Sequence, residues 1–260
     1  MSNGWFHVFR RVPAARKRLY CFPYAGGSVF AFRHLSNSIH PNVELCVASL
    51  PGRGPRQAEP AESDLRRLVS ALADAVQEAA GARFAFFGHS MGAMLCFEVA
   101  RELRRRGSAM PESMVVSGAR APERFGKREG DYRHDLPRVE FLDYLRSLEG
   151  TPPEVFDVPE LMDLLLPALR ADFAISETYR CAAEAPLPAS LIVLVGSDDP
   201  DVRPEDVAGW KAHAQYGCSM RSLPGGHFFI DRHWPEIGRL LDRLLNDASA
   251  VRSHTRGAES

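Results

Sequence analysis

Residues 83–106, RFAFFGHSMGAMLCFEVARELRRR, constrain the fold more than any other stretch of the chain. The segment opens with a short apolar run at 83–88, of strand length and rich in Phe. It then passes into a helical pattern from about Met91 to Arg106 that stops at Gly107. Between the two lies Gly88-His89-Ser90-Met91-Gly92, with no room for a loop. A strand that turns into a helix within such a Gly-x-Ser-x-Gly pentapeptide lifts the serine hydroxyl above a sheet edge, at a helix N-terminus. The turn is too tight for side chains at its flanks, which accounts for the glycines. An ordinary serine in a tight turn is the alternative, and the strand-turn-helix context argues against it.

The rest of the chain repeats the alternation. RLYCFP (18–23), VELCVASL (43–50), SMVVSG (113–118) and SLIVLVG (190–196) are further apolar runs that end near Gly or Pro, and 218–223 reads as another strand. A helix is expected over 64–80, where Leu65, Leu68, Leu72, Val76 and Ala79 recur at three- and four-residue steps. Ser63 is placed to cap its start and Gly81 to close its end. Another helix covers roughly Trp234 to Asn246. Strands alternating with helices give an α/β class, with a mostly parallel central sheet flanked by helices on both faces. The strands are too few and too irregularly spaced for an eight-stranded barrel, and there is no internal repeat. From about 120 to 188 the strand pattern stops. Helical stretches at 139–148 and 159–179, joined by Pro-rich turns, read as a helical lid inserted between two strands. Pro152, Pro153 and Pro167 are expected at the edges of these segments. The expectation is a single domain over 1–260, a lid at approximately 120–188 and a flexible polar tail at 248–260.

A serine hydroxyl is a weak nucleophile and needs a base, which in turn needs an orienting acid. In this topology the chain order is Ser, then Asp or Glu, then His. The apolar run at 190–196 is followed by Ser197-Asp198-Asp199-Pro200, and either Asp can serve. Asp199, just before a proline that fixes the loop, is preferred, with Asp198 left to hydrogen-bond its own turn. Of the nine histidines, His227 follows the last strand and two glycines that bend the loop to present an imidazole. His89 reads as a strand-end support, His213 lies on a helical stretch and His233 starts a helix. An oxyanion hole needs two backbone N–H groups. Met91 offers one at the helix start, and the loop Phe22-Pro23-Tyr24-Ala25-Gly26-Gly27-Ser28 has the freedom to offer the other. Three protein groups suffice for this chemistry, so no metal and no cofactor is expected.

Composition narrows the class. The 260 residues carry 45% hydrophobic and 25% charged side chains and a net charge of −1. That balance excludes bulk disorder and argues against a dedicated nucleic-acid binder. No apolar run approaches the roughly 20 residues of a membrane helix, and the N-terminus has no secretory pattern. Five scattered cysteines, with no CxxC, fit reduced thiols in a cytoplasm.

Beyond these residues the chain resembles a known family: the type II thioesterases that accompany polyketide synthases and nonribosomal peptide synthetases. The resemblance covers nearly the whole chain. It is carried by FPYAGGS (22–28), LPGRGPR (50–56), FGHSMGAMLCFEVA (87–100), PPEVF (152–156) with ELMDLLLPALRADF (160–173), SDDP (197–200) and LPGGHFF (223–229). It implies the α/β-hydrolase fold with a helical lid, a triad of Ser90, Asp199 and His227, and an oxyanion hole from the amides of Ala25 and Met91. LPGRGPR has no evident physical reason beyond a Pro-Gly turn, and Arg53 and Arg56 read equally well as surface residues. Relatives often carry His where this chain has Tyr24. Lid residues from Met162 to Phe173 are candidates to line an acyl chamber or to pack the lid. Tyr24, Met162, Leu165, Phe173 and Phe228 are taken as candidate substrate contacts. Of Leu164, Leu165 and Leu166, part is expected to face the cleft.

The resemblance implies a serine thioesterase that hydrolyses acyl groups from the phosphopantetheine arm of acyl- or peptidyl-carrier proteins. The implied task is editing of aberrant or stalled units, to which the lack of an attached carrier domain also points. The alternatives are a chain-releasing acyl-carrier thioesterase, a small-molecule carboxylesterase or lipase, and a binding protein without catalysis. Acidic carriers favour a basic docking face. Arg10, Arg11, Arg16, Lys17 and Arg18, or Arg101, Arg104, Arg105 and Arg106, are candidates, with a solvated face as the other reading. No nucleic acid and no membrane partner is expected, and the chain is expected to be a monomer.

Overall fold

The apolar runs of the sequence hydrogen-bond into one seven-stranded sheet. The computed structural model describes residues 4–13, 15–79, 81–126, 130–148, 150 and 152–246, so the expected tail at 248–260 lies outside the described residues. The strands are β1 Phe6–Val8, β2 Lys17–Phe22, β3 Val43–Ala48, β4 Arg83–His89, β5 Ser113–Ser117, β6 Ser190–Gly196 and β7 Cys218–Leu223, in the order β1-β3-β2-β4-β5-β6-β7. All neighbours are parallel except β1, which runs antiparallel to β3. β1 escapes the sequence pattern because it is three residues long and only Phe6 is buried.

Alternation along each strand divides the core in two. Tyr20, Phe22, Phe84, Phe86, Met114 and Val116 face α1 (Leu65–Glu78) and α2 (Met91–Arg105). Leu19, Cys21, Ala85, Phe87, Val115 and Leu194 face the other way.

The cap of α1 is Asp64 rather than the expected Ser63. Its backbone is extended and its carboxylate accepts from the amides of Arg66 and Arg67. An acceptor with a full negative charge suits the positive end of the helix. Ala79 closes the helix, two residues before Gly81.

Register levels the strand ends. Phe22 lies beside Gly88, His89 beside Ser117, Ser117 beside Leu194 and Gly196 beside Leu223. Every loop leaving β2, β4, β5, β6 and β7 therefore emerges at one edge, where open α/β sheets bind ligands.

Between β5 and β6 the described residues form no strand. They form α3 (Arg138–Ser147), α4 (Pro153–Phe156) and α5 (Pro159–Thr178). This insertion has its own small core of Phe141, Leu145, Met162, Leu166 and Leu169. Pro152 and Pro153 start α4, as an edge role requires, but Pro167 lies inside α5. After β6 come α6 (Pro204–Val207) and a 3-10 turn, Ala208–His213.

The helix expected from Trp234 begins earlier, as α7 (Ile230–Asn246). It is interrupted at His233, two residues before Pro235, whose ring and missing N–H disturb the preceding turn. Ile230, Trp234, Ile237 and Leu241 from α7 join Phe32 in covering the second face of the sheet.

LPGRGPR acquires its reason here. Gly52 and Gly54 both have positive φ (80° and 53°), and the turn they make carries the Arg53 side chain inward. Arg53 is only 4% exposed, and the side chain of Asp172 on α5 only 1%. The guanidinium grips both carboxylate oxygens, Nη2 donating to Oδ1 at 2.8 Å and Nη1 to Oδ2. The surface reading of Arg53 is thereby overturned. Arg56 instead stacks over Trp5, 4.0 Å from the ring centre, and donates to the Ser49 carbonyl at 2.9 Å.

Removing one partner of a buried pair strands the other charge. Asp172→Ala is expected to cost about 3–5 kcal/mol in urea unfolding. The double change Arg53→Met with Asp172→Leu is expected to restore most of it, because well-packed apolar groups replace both charges. Equal unfolding midpoints for wild type and Asp172→Ala would show that the pair holds nothing.

Candidate active site

The turn at 88–92 is as tight as its glycines suggest. Ser90 has φ 54° and ψ −122°, and is the one non-glycine residue with positive φ among the described residues. A Cβ on Gly88 would sit 2.1 Å from the Gly92 carbonyl oxygen, and one on Gly92 would sit 1.9 Å from that of Phe22. The Ser90 amide donates to the Ser117 carbonyl at 2.8 Å, which ties the turn to β5.

His227 Nε2 lies 3.0 Å from Ser90 Oγ, and His227 Nδ1 lies 2.8 Å from Asp199 Oδ2. A carboxylate can only accept, so Nδ1 carries the proton and Nε2 turns its lone pair to the serine hydroxyl. The Asp199 side chain is fully buried, and its other oxygen accepts from the Asp201 amide at 2.9 Å. Asp198 is used differently. It accepts from Ser197 Oγ at 2.8 Å and from the Gly225 amide at 3.3 Å, holding its own turn. The His227 loop can approach β6 because Gly196 has no side chain; a Cβ there would meet the Gly226 carbonyl at 2.4 Å. Gly225 takes φ 121°.

Met91 opens α2, so its N–H lies in the first helical turn, where no intrahelical acceptor exists. Ala25 lies in the loop after β2, and both residues border the same cavity as Ser90 and His227. That loop is pinned. The Gly26 amide donates to Asp172 Oδ2 at 2.7 Å, and the Gly27 amide to the Tyr24 carbonyl at 2.8 Å. Gly26 has φ 76°, and a Cβ there would reach within 2.5 Å of Leu169.

The cavity has a volume of about 180 Å³ and is mainly apolar, with Leu145, Leu148, Leu169 and Phe173 contributed by the insertion. Of the candidate substrate contacts, Tyr24, Phe173 and Phe228 line it. The rings of Tyr24 and Phe228 meet edge to face at 5.0 Å. Burial pushes the Tyr24 hydroxyl up to about 12, so it stays protonated. Met162 and Leu165 do not line it. Met162 is 2% exposed inside the insertion's own core, and Leu165 packs against that core. Leu165 shares a helical face with Leu169 and Phe173, but only the later turns of α5 reach the cavity. Leu164 is half exposed and Leu166 is buried in the same small core, so none of the three leucines faces the cleft.

His89 is fully buried between the β4 end and the His227 loop. Its Nδ1 pairs with Ser117 Oγ at 3.0 Å, and its ring centre lies 5.2 Å from that of His227. Burial, seconded by His227, holds it well below the ordinary imidazole value of 6.5.

The arginines of α2 are not a free basic face. Arg101 is 2% exposed and pairs with Glu98 and Glu184, Arg104 with Glu184, Arg105 with Glu102, and Arg106 with Asp74 and Glu102. Sequence reasoning named Arg53 without its role and missed Asp172 altogether.

A family model described as the thioesterase domain matches residues 17–245. The chain belongs to the thioesterase domain family. It is a thioester hydrolase. It is 38% identical over 261 aligned residues to the thioesterase PikA5 of Streptomyces venezuelae, covering 99% of this chain and 88% of the relative. It is 37% identical to the gramicidin S biosynthesis protein GrsT of Aneurinibacillus migulanus, covering 88% of each. The solved type II thioesterase BorB of a borrelidin biosynthetic cluster superimposes with a TM-score of 0.83 at 30% identity, over 94% of this chain and 97% of that one. The α/β-hydrolase fold is thus shared by this thioesterase and its structural relatives. No helix among the described residues is long and apolar enough to cross a membrane.

His89 gives the thioesterase a definite pH dependence of stability. Below pH 6.5 the unfolded chain takes up a proton that the native imidazole refuses, so native stability falls with pH. The expected contribution is up to about 1.4 kcal/mol per pH unit, until the depressed native value is reached. Urea unfolding at several pH values should show a shallower decline for His89→Gln; parallel curves would count against the assignment.

Proposed function

We propose that Ser90 is the nucleophile, His227 the general base and Asp199 the group that orients and charge-stabilises it. The observation that carries this reading is the unbroken chain from Ser90 Oγ through His227 to buried Asp199, opening onto an apolar cavity. Ser90 attacks the thioester carbonyl while His227 takes its proton. The amides of Ala25 and Met91 receive the negative charge on the carbonyl oxygen. The C–S bond breaks, the thiolate leaves with the proton from His227, and an acyl-enzyme remains. Water, deprotonated by His227, then releases the free acid and restores Ser90.

The substrate in this reading is an acyl group on the phosphopantetheine arm of an acyl- or peptidyl-carrier protein, and the task is editing of aberrant or stalled units. Its support is the likeness to PikA5, GrsT and BorB. The helices of the insertion serve as a lid, since Leu145, Leu148, Leu169 and Phe173 form one wall over Ser90. The free cysteines fit a reducing cytoplasm. A second reading, release of a finished medium-length chain, is favoured by 31% identity to the human medium-chain S-acyl fatty acid synthase thioesterase.

Intact-protein mass spectrometry of acyl-loaded carriers, wild type against Ser90→Ala, tests the proposal. Wild type should strip several short, unrelated acyl groups, and Ser90→Ala should slow this by about 10³-fold or more. Loss of a single long chain alone would establish the release reading. Cleavage of oxygen esters without carrier deacylation would make the chain an esterase, and an active Ser90→Ala would overturn the triad.

A further inference from the structure

Three side chains of different chemistry converge at the root of the helical insertion. Glu123 lies on the short turn Pro122–Arg124 after β5, Cys181 just beyond α5, and His213 at the end of the 3-10 turn Ala208–His213. One donor atom from each lies within 4.8 Å of the others. His213 Nε2 is already 2.6 Å from Glu123 Oε1. We propose that Glu123, Cys181 and His213 form a binding site for a divalent metal of the zinc class.

The donor set selects the class of ion. A thiolate, an imidazole and a single carboxylate suit zinc or cobalt, and do not suit magnesium or calcium, which prefer oxygen alone. With bonds of about 2.0–2.3 Å, a tetrahedral centre separates its ligands by about 3.3–3.8 Å. The His213–Glu123 hydrogen bond therefore has to open slightly, and the thiol has to move in by about 1 Å or less. Glu123 can make that adjustment because its side chain is half exposed.

The other two ligands are held from behind. The His213 ring meets Phe97 edge to face at 5.0 Å, and its carbonyl accepts from the Leu187 amide at 2.9 Å. Cys181 follows Tyr179, whose hydroxyl donates to Glu98 at 2.6 Å. Three protein ligands leave the fourth position to water.

Arg101 stands beside the cluster, with Nη1 3.6 Å from Cys181 Sγ. Its charge does not bar a metal, because Glu98 and Glu184 both pair with it. Burial raises the Cys181 thiol above its ordinary value, with Arg101 opposing the rise. The thiol therefore releases its proton to solvent as the metal binds. An occupied site would bond the chain just beyond α5 to two turns that follow β5 and β6, and so stiffen the base of the insertion.

The test uses the full chain, stripped of metal with a chelator and titrated with cobalt(II). A thiolate-to-cobalt charge-transfer band should grow to saturation at one metal per chain, and zinc should displace it. Cys181→Ser should abolish the band, and His213→Gln should weaken cobalt binding by about tenfold or more. Zinc should also raise the melting temperature of wild type and not of Cys181→Ser. Both variants should still hydrolyse thioesters, which verifies that they are folded. Absence of the band in wild type, or its persistence in Cys181→Ser, would overturn the proposal.

Discussion

The carboxylate of Asp172 joins three parts of the chain that are remote in sequence. One oxygen and then the other is taken by Arg53, from the turn after β3, and the second is shared with the amide of Gly26, from the loop after β2. Asp172 itself stands on α5, beside Leu169 and Phe173 in the cavity wall. An uncompensated charge at this depth costs several kcal/mol, so the three segments hold their places together or not at all. The loop that carries the Ala25 amide is therefore positioned by the insertion that covers it. Wall and loop come as one unit.

The second constraint is local strain at Ser90. A non-glycine residue at φ 54° and ψ −122° costs about 1–3 kcal/mol, and persists only where its surroundings over-determine it. Here they do. The Ser90 amide is bonded to β5, and the backbones of Gly88, Gly92 and Phe22 pass too close for any relaxed alternative. The hydroxyl is thus held out of the sheet, toward an imidazole whose far nitrogen is fixed by a fully buried carboxylate. Relaxation is blocked by sterics and the proton location by hydrogen bonding, two independent means to one geometry.

What was legible in the sequence follows from whether a local pattern suffices. Five apolar runs and the pentapeptide at 88–92 declare the sheet and the elbow, because period and turn chemistry are properties of neighbouring residues. Asp199 was preferred to Asp198 for its neighbouring proline; in the structure Asp199 pairs with His227 and Asp198 with Ser197 and Gly225. The readings that failed concern tertiary partners. Arg53 looks like a surface residue until Asp172, 119 residues on, is placed against it. Met162 and Leu165 have the composition of a chamber wall, but the distance of each α5 turn from Ser90 depends on how the insertion docks. β1 is too short to show a period, and Asp64 displaces Ser63 as the cap because an ionic acceptor outcompetes a hydroxyl one residue earlier.

The same docking bears on how the cavity can open. α5 is tied to the body at its middle by Asp172. Beyond its end, Tyr179 donates to Glu98 and Arg101 donates to the Ala182 carbonyl, both partners standing on α2, the helix that begins at the Ser90 turn. These contacts are buried, and breaking them exposes or strands charge. α3 is held to α5 as well: buried Glu177 accepts from the Arg133 and His134 amides, Arg170 donates to the Leu136 carbonyl at 2.8 Å, and Phe141 is fully buried against Leu166 and Leu169. Arg138 pairs with Asp163 and Arg146 with Asp143, all exposed, where an ion pair is worth about 1 kcal/mol or less. Widening the cavity by moving α3 alone would therefore have to break the Glu177 and Arg170 bonds and pull Phe141 and Leu145 from the core they share with Leu166 and Leu169.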